Sequence, residues 1–170
     1  MPIKEHNLTQ ERLKELLHYD PETGIFTRIK PQNNRYAVGC VAGSPHKTLG
    51  YIQVWVDRKS YYGHRLAWLY MTGSWPDKLI DHRDCDPANN KWCNLRQANS
   101  GQNVSNSKLP KNNTSGYKGV TWSEHAKRWH AAITVNEKSI YLGYFLDPKE
   151  AHNAYCEAAI KYKGEFARAS

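Results

Sequence analysis

The sequence predicts an α+β protein of short helices and small antiparallel sheets. An N-terminal helix/strand extension comes first, then a polar central region. A linker follows, and the chain ends in a three-stranded antiparallel sheet plus one helix. Three observations carry this. Apolar residues recur at helical spacing only in short stretches, within Leu8–Leu17, His64–Met71 and residues 148–162. Apolar and polar residues alternate along Trp129–Val135, with turn residues on either side. Between the two patterns, Ser105–Gly116 is polar, contains a proline and has no period. The expected segments are residues 1–49, 50–106, a linker at 107–115, and 116–170.

The elements follow in order. Leu8–Leu17 is a short amphipathic helix, with Thr9 placed as N-cap and Leu13, Leu16 and Leu17 on one face. Tyr19-Asp-Pro-Glu-Thr-Gly24 supplies a turn into a strand at Ile25–Ile29, and Lys30–Ala37 is a loop. Tyr51–Val56 and Ser60–Gly63 form a hairpin. His64–Met71 is a helix that stops at Thr72-Gly73. Leu79-Ile80 is a short strand delivering Asp81 and His82 to a turn-rich loop, and Ser100–Ser105 is helical. Beyond the linker come strands at Tyr117–Trp122, Trp129–Val135 and Ser139–Phe145, the last two joined at Asn136-Glu137. A helix starting at Asp147 or Pro148 lays small alanines against that sheet.

Composition narrows the partners. The 170 residues carry 24 basic and 16 acidic side chains, a formal charge of +8, and 12% aromatics. The excess is spread: +3 over residues 1–81 (11 basic, 8 acidic), +3 over 82–115 (5 and 2) and +2 over 116–170 (8 and 6). A polyanion such as nucleic acid fits this balance, although many basic proteins bind none. No run nears the roughly 18 apolar residues of a membrane span, and Met1–Asn7 lacks an apolar signal core, so no membrane partner and a cytoplasmic location are expected. Cys40, Cys85, Cys93 and Cys156 form no Cys-x-x-Cys pair, which argues against a structural zinc site.

Chemistry concentrates between Leu79 and Asn106. Asp81 and His82 are adjacent, and asparagines follow densely. A carboxylate, an imidazole and carboxamides can supply an oxygen-bound divalent cation and a proton acceptor. The same residues also suit a surface loop leading into an N-capped helix.

His64-Arg-Leu-Ala-Trp, Ile80-Asp-His82 and Asn89-Asn90-Lys-Trp-Cys-Asn94-Leu-Arg96 together resemble the HNH nuclease family of phage and intron homing endonucleases. The resemblance implies a ββα-metal core, in which a hairpin carries the general base and a following helix a metal ligand. Carried over, His82 is the base, Asn94 supports the loop or the base, and Asp81 and Asn103 are ligands to one Mg²⁺ or Mn²⁺. Arg65, Arg83 and Arg96 would face DNA. One such site cuts one strand of double-stranded DNA, so a monomer should nick, and a double-strand break would need two sites or sequential nicks; a monomer or weak dimer is expected. Two departures stand out: Cys85 occupies a loop position where the family often has glycine, and Asn103 replaces the third histidine of the family's name.

Ser115-Gly-Tyr-Lys-Gly-Val-Thr-Trp122, Tyr141-Leu-Gly-Tyr-Phe145, Ala151–Ala159 and Lys163-Gly-Glu-Phe-Ala167 are similar to the ethylene-response-factor (Apetala-two) DNA-binding domain. That resemblance implies major-groove reading by the sheet, with Lys118, Thr121, Trp122, Lys127, Arg128, His130, Thr134 and Tyr141 as contacts. Thr121, Ala132, Thr134 and Ser139 stand where arginines would form bidentate contacts to guanine, so sequence reading is expected to be weaker or different. The expected function is a metal-dependent DNA endonuclease. The competing reading is a non-catalytic DNA-binding protein on a nuclease scaffold.

Overall fold

The computed structural model describes residues 8–31, 37–107, 109 and 113–168. The remainder of the expected 30–37 loop and of the 107–115 linker, and the first seven residues, lie outside the described residues. The protein is mixed α+β, with several small antiparallel sheets and few helices. It divides into two compact units, Met1–Gln97 and Ala98–Ser170. The helix at Ser100–Ser105, which the sequence reading groups with residues 50–106, therefore counts with the second.

In the first unit, helix α1 (Gln10–Leu16) opens on Thr9, whose hydroxyl accepts from the Arg12 amide at 3.2 Å, and it buries Leu13 and Leu16. Leu17 leaves the helix to begin strand β1 (Leu17–Asp20), which pairs antiparallel with β2 (Ile25–Arg28). Sequence spacing assigns Leu17 to the helix. The backbone instead turns extended there, so Leu17 and Tyr19 point inward from a strand. Two-residue β3 (Val41–Ala42) completes that sheet.

Strands β4 (Ser44–Pro45), β5 (Ile52–Val56) and β6 (Lys59–Tyr62) form the next sheet. Its tight turn places Asp57 and Arg58 at φ 46° and 64°, the left-handed pair that matches strand twist. Helix α2 (Gly63–Thr72) follows and stops at Gly73 in the left-handed conformation. Strands β7 (Leu79–His82) and β8 (Leu95–Ala98) pair with each other. One apolar core joins these pieces: Leu13, Leu17, Tyr19, Phe26, Val54, Val56, Leu66, Leu69, Ile80 and Leu95. Burial of such side chains, at about 1.5–3 kcal/mol each, is what holds short strands that would not persist alone. No helix among the described residues is long and apolar enough to cross a membrane.

In the second unit, helix α3 (Ser100–Ser105) begins with a reciprocal cap between Asn99 and Gln102. Strands β9 (Val120–Ser123), β10 (Arg128–Val135) and β11 (Lys138–Phe145) form a sheet in the order β11-β10-β9. The first strand starts at Val120 rather than Tyr117. Hydrogen bonds from Asn113 and Ser115 to the backbone around Tyr117 hold the preceding stretch as a turn. Helix α4 (Pro148–Lys163) is capped by Asp147, whose carboxylate accepts from the Lys149 amide at 2.8 Å. Its Ala151, Tyr155, Ala158 and Ala159 are buried, and the core they belong to includes Val120, Ala131 and Ile133.

One irregularity shapes the sheet. Ala131 pairs with Gly143 but Ala132 pairs with Tyr141, so Leu142 is an extra residue on β11. This is a β-bulge, which re-aims the side chains beyond it.

Candidate functional site

Asp81 and His82 are the last two residues of β7, and both are buried, at 4% and 5% exposure. Adjacent strand residues face opposite ways, and the partners of the two differ accordingly. Asp81 Oδ2 accepts from Arg96 Nε at 2.8 Å across the β7–β8 pair, with Arg96 equally buried. His82 Nε2 lies 3.1 Å from the carboxamide oxygen of Asn90. Its ring also meets His64 at 5.2 Å and Tyr51 at 5.9 Å, centroid to centroid.

Asn90 is 2% exposed, and sequence reasoning gave it no role. Its carbonyl accepts from the Tyr19 hydroxyl at 2.7 Å, and the Trp92 amide donates to Pro21 O at 2.9 Å. The β1–β2 turn therefore grips the loop that carries Asn90. At Gly24 (φ 74°) the approach is so close that a Cβ would overlap the backbone of Asn90 and Lys91. The N-terminal extension thus forms one wall of the site.

Asn94 ties the same loop shut. Its carboxamide nitrogen donates to Asp84 Oδ1 (2.9 Å) and Asn89 O (2.8 Å), and its oxygen accepts from the Asp84 amide at 3.1 Å. Burial alone would raise the Asp84 carboxyl. Donation from the Asp86 amide and the Asn89 and Asn94 carboxamides, helped by His82, outweighs it and holds that carboxyl below the usual range. Cys85 sits at φ 59°, and its amide donates to His82 O at 2.9 Å. That left-handed turn is the physical reason a glycine suits this position.

His64, on α2, is 7% exposed, and its Nδ1 is buried without a hydrogen-bond partner. Burial, then the neighbouring His82 and Arg65, pushes its pKa down to about 3, so it stays neutral at ordinary pH. It packs between Tyr51 (5.1 Å) and Tyr62 (5.6 Å). Arg65 is half-buried with its guanidinium 5.8 Å from the Trp75 ring, and burial lowers its pKa. Arg83 is exposed, and its amide donates to Asn94 O.

Asn103 is exposed on α3, in the second unit. No cluster of three or more His, Cys, Asp or Glu able to hold a metal occurs among the described residues. A carboxylate with a carboxamide is a different donor set. It leaves most of an ion's shell to water and phosphate oxygens, which suits a hard cation.

On the second unit's sheet, alternation puts Thr121, His130, Ala132, Thr134, Ser139, Tyr141 and Tyr144 on the face away from α4. Trp122 falls on the other face with Val120. There its ring meets Trp129 edge-on at 5.1 Å, and its indole donates to Glu124. Lys118 sends its ammonium to the carbonyls of Ser105 and Ser107, both at 2.7 Å, at the end of α3. Lys127 pairs with Glu124 at 2.7 Å with both side chains exposed, and Arg128 is exposed at the start of β10.

Residues 61–105 match the family model described as HNH endonuclease. Over 76 residues the chain is 40% identical to "Protein 3.8" of Escherichia phage T7, an alignment covering 44% of this chain and 63% of that protein. Over 55 residues, 32% of this chain, it is 40% identical to "APETALA2-like protein 2" of Oryza sativa subsp. indica. Over the same length it is 38% identical to "AP2-like ethylene-responsive transcription factor TOE2" of Arabidopsis thaliana. The chain spans less than two thirds of the phage relative and only 13% and 11% of the plant proteins. An HNH endonuclease domain is therefore present, and one relative is a phage protein.

Proposed function

We propose that this protein is a DNA endonuclease of the homing or nicking type that depends on one divalent metal ion. The observation that carries the reading is the buried Asp81–His82 pair, each residue held by its own partner, within the stretch matching the HNH endonuclease family. In this reading, neutral His82 takes a proton from a water molecule. The water oxygen attacks the scissile phosphorus in line, and the bond to the leaving 3′ oxygen breaks. With Asn90 Oδ1 accepting from Nε2–H, the lone pair that receives the proton is on the other ring nitrogen. Neutral, buried His64 does not compete for that proton.

Asp81 is the residue of the first unit that would help to hold Mg²⁺ or Mn²⁺. Such an ion supplies positive charge to the phosphate oxygens and the leaving group. Arg96 fixes the Asp81 carboxylate, whose two oxygens have room for more than one partner. Asn94 keeps the loop closed beneath His82. The second unit would add contacts to double-stranded DNA, with Arg128 and Lys127 on phosphates. Lys118 contributes less to that contact, because two backbone carbonyls already engage its ammonium.

A second reading, a DNA-binding protein without catalysis, draws on the Arg96 ion pair, which already balances the Asp81 charge. Plasmid assays separate the two. The wild-type protein nicks supercoiled DNA with Mg²⁺ or Mn²⁺, and His82→Ala lowers the rate about 10²–10⁴-fold while DNA affinity holds. Equal activity in His82→Ala would sink the mechanism. Tight binding with no cleavage under any divalent ion would favour the second reading.

A further inference from the structure

The open face of the second unit's sheet carries a ring cluster that strand alternation alone would not assemble. Tyr141 and Tyr144 are three apart, and in a regular strand they would face opposite ways. The extra Leu142 cancels that offset. Tyr144 lies opposite His130 and Tyr141 lies opposite Ala132, and these two partners share a face of β10. All three rings thus meet on the side away from α4. His130–Tyr141, His130–Tyr144 and Tyr141–Tyr144 centroids are each 5.5 Å apart, the first pair stacked at 19°. Tyr141 is 57% exposed and Tyr144 45%. Gly143 makes the bulge feasible: its φ is 142°, and a Cβ there would come within 3.0 Å of the Phe145 ring.

The surroundings narrow what such a cluster takes. Its neighbours on the face, Thr121, Ala132, Thr134 and Ser139, are short, so the rings stand proud of a shallow floor. None of the residues on this face is acidic. Arg128 starts β10 on this same face and is exposed. Residues 98–170 hold 10 basic and 6 acidic side chains, a net +4. An anionic partner with flat, polarisable rings fits this chemistry. The centre of the face offers no guanidinium for guanine edges, so its hydrogen-bonding vocabulary for a closed major groove is small. Aromatic rings instead recognise the π-face of a base, and that face is accessible only once the base has left its stack.

We propose that His130, Tyr141 and Tyr144 form a stacking platform for an unpaired base of single-stranded or locally opened DNA, with an adjoining phosphate drawn to Arg128. The platform rests on the DNA-binding reading above and specifies its ligand. One base lies on the exposed tyrosine rings, and the shallow floor accepts any of the four. A module that favours opened DNA would hold the strand at a nick, where stacking is already broken.

Binding measured in EDTA tests this without any cleavage, so the outcome is independent of whether the nuclease reading holds. The full-length protein is titrated into fluorescein-labelled 16-nucleotide single-stranded DNA and into the blunt duplex of the same sequence, with anisotropy as the readout. Single-strand affinity at least equal to duplex affinity is expected. Tyr141→Ala and Tyr144→Ala should each weaken single-strand binding about 5- to 100-fold, while Tyr144→Phe, which keeps the ring, stays near wild type. A strand with its central bases replaced by abasic sites should lose a similar factor. Binding confined to duplex, unchanged affinity in the double alanine variant, or equal affinity for the abasic strand would each overturn the platform. Both tyrosines are exposed, so the variants keep the fold, which circular dichroism checks.

Discussion

In the first unit the residues able to do chemistry lie under cover. Asp81, His82, Asn90, Asn94 and Arg96 are buried, and each has its orientation set by a named hydrogen-bond partner. In the second unit the rings able to meet a ligand are on an open sheet face, held by backbone register and one bulge. The difference follows from what each surface would do. A proton acceptor must be aimed, and aim comes from second partners that fix the ring. A platform for flat bases needs area and access, and a pleated sheet supplies both without specific side-chain partners. Substitutions in the two units should therefore behave differently, with stability and activity linked in the first and separable in the second.

The sharpest test of that contrast is Arg96→Met. It leaves Asp81 buried beside an apolar side chain, and the expected destabilisation is about 3–5 kcal/mol. Hydrogen exchange at the Leu66 and Leu69 amides should accelerate correspondingly. Protection close to wild type would mean that Asp81 does not depend on Arg96.

A smaller effect is expected from pH. His64 protonates near 6.5 in an unfolded chain but only at about 3 in the folded one. Above about 6.5 both states carry it neutral, and its contribution is complete. As pH falls toward 3 the unfolded chain takes up a proton that the folded chain refuses, and stability drains away. Urea midpoints between pH 7 and 4 should therefore fall more steeply in the wild type than in His64→Gln. Parallel slopes would remove His64 from the account.

The smallest effect is expected from Tyr141→Ala. An exposed strand position exchanges cross-strand contacts and β-propensity worth no more than about 1 kcal/mol, so thermal unfolding should hardly move. A large drop would make Tyr141 a packing residue and erase the contrast between the units.

Much of this was legible in the residues. Short-range signals worked where one segment decides its own state: the Thr9 cap, the stop at Gly73, the Asn136-Glu137 turn and the alanine face of α4. Asp81 and His82 stand out as candidates because they are consecutive within a recognisable block. Leu17 was misread because helical spacing extends one residue past the point where the backbone turns into β1. Asn90 was missed because its role depends on Tyr19 and Gly24, distant in sequence, and no local pattern reports such a pairing. Tyr144 escaped for another reason. Period-two counting from Tyr141 sends it to the wrong side, and the only local mark of the bulge is the glycine at 143.

The fit of Gly24 against Asn90 also bears on how such a protein can change over generations. The β1–β2 turn and the loop that carries Asn90 touch backbone to backbone, where no side chain can be trimmed to make room. Recombination that exchanged the N-terminal extension alone would break that seam. A change on either side of that seam therefore calls for a matching change on the other, which ties the turn at Gly24 to the loop at Asn90.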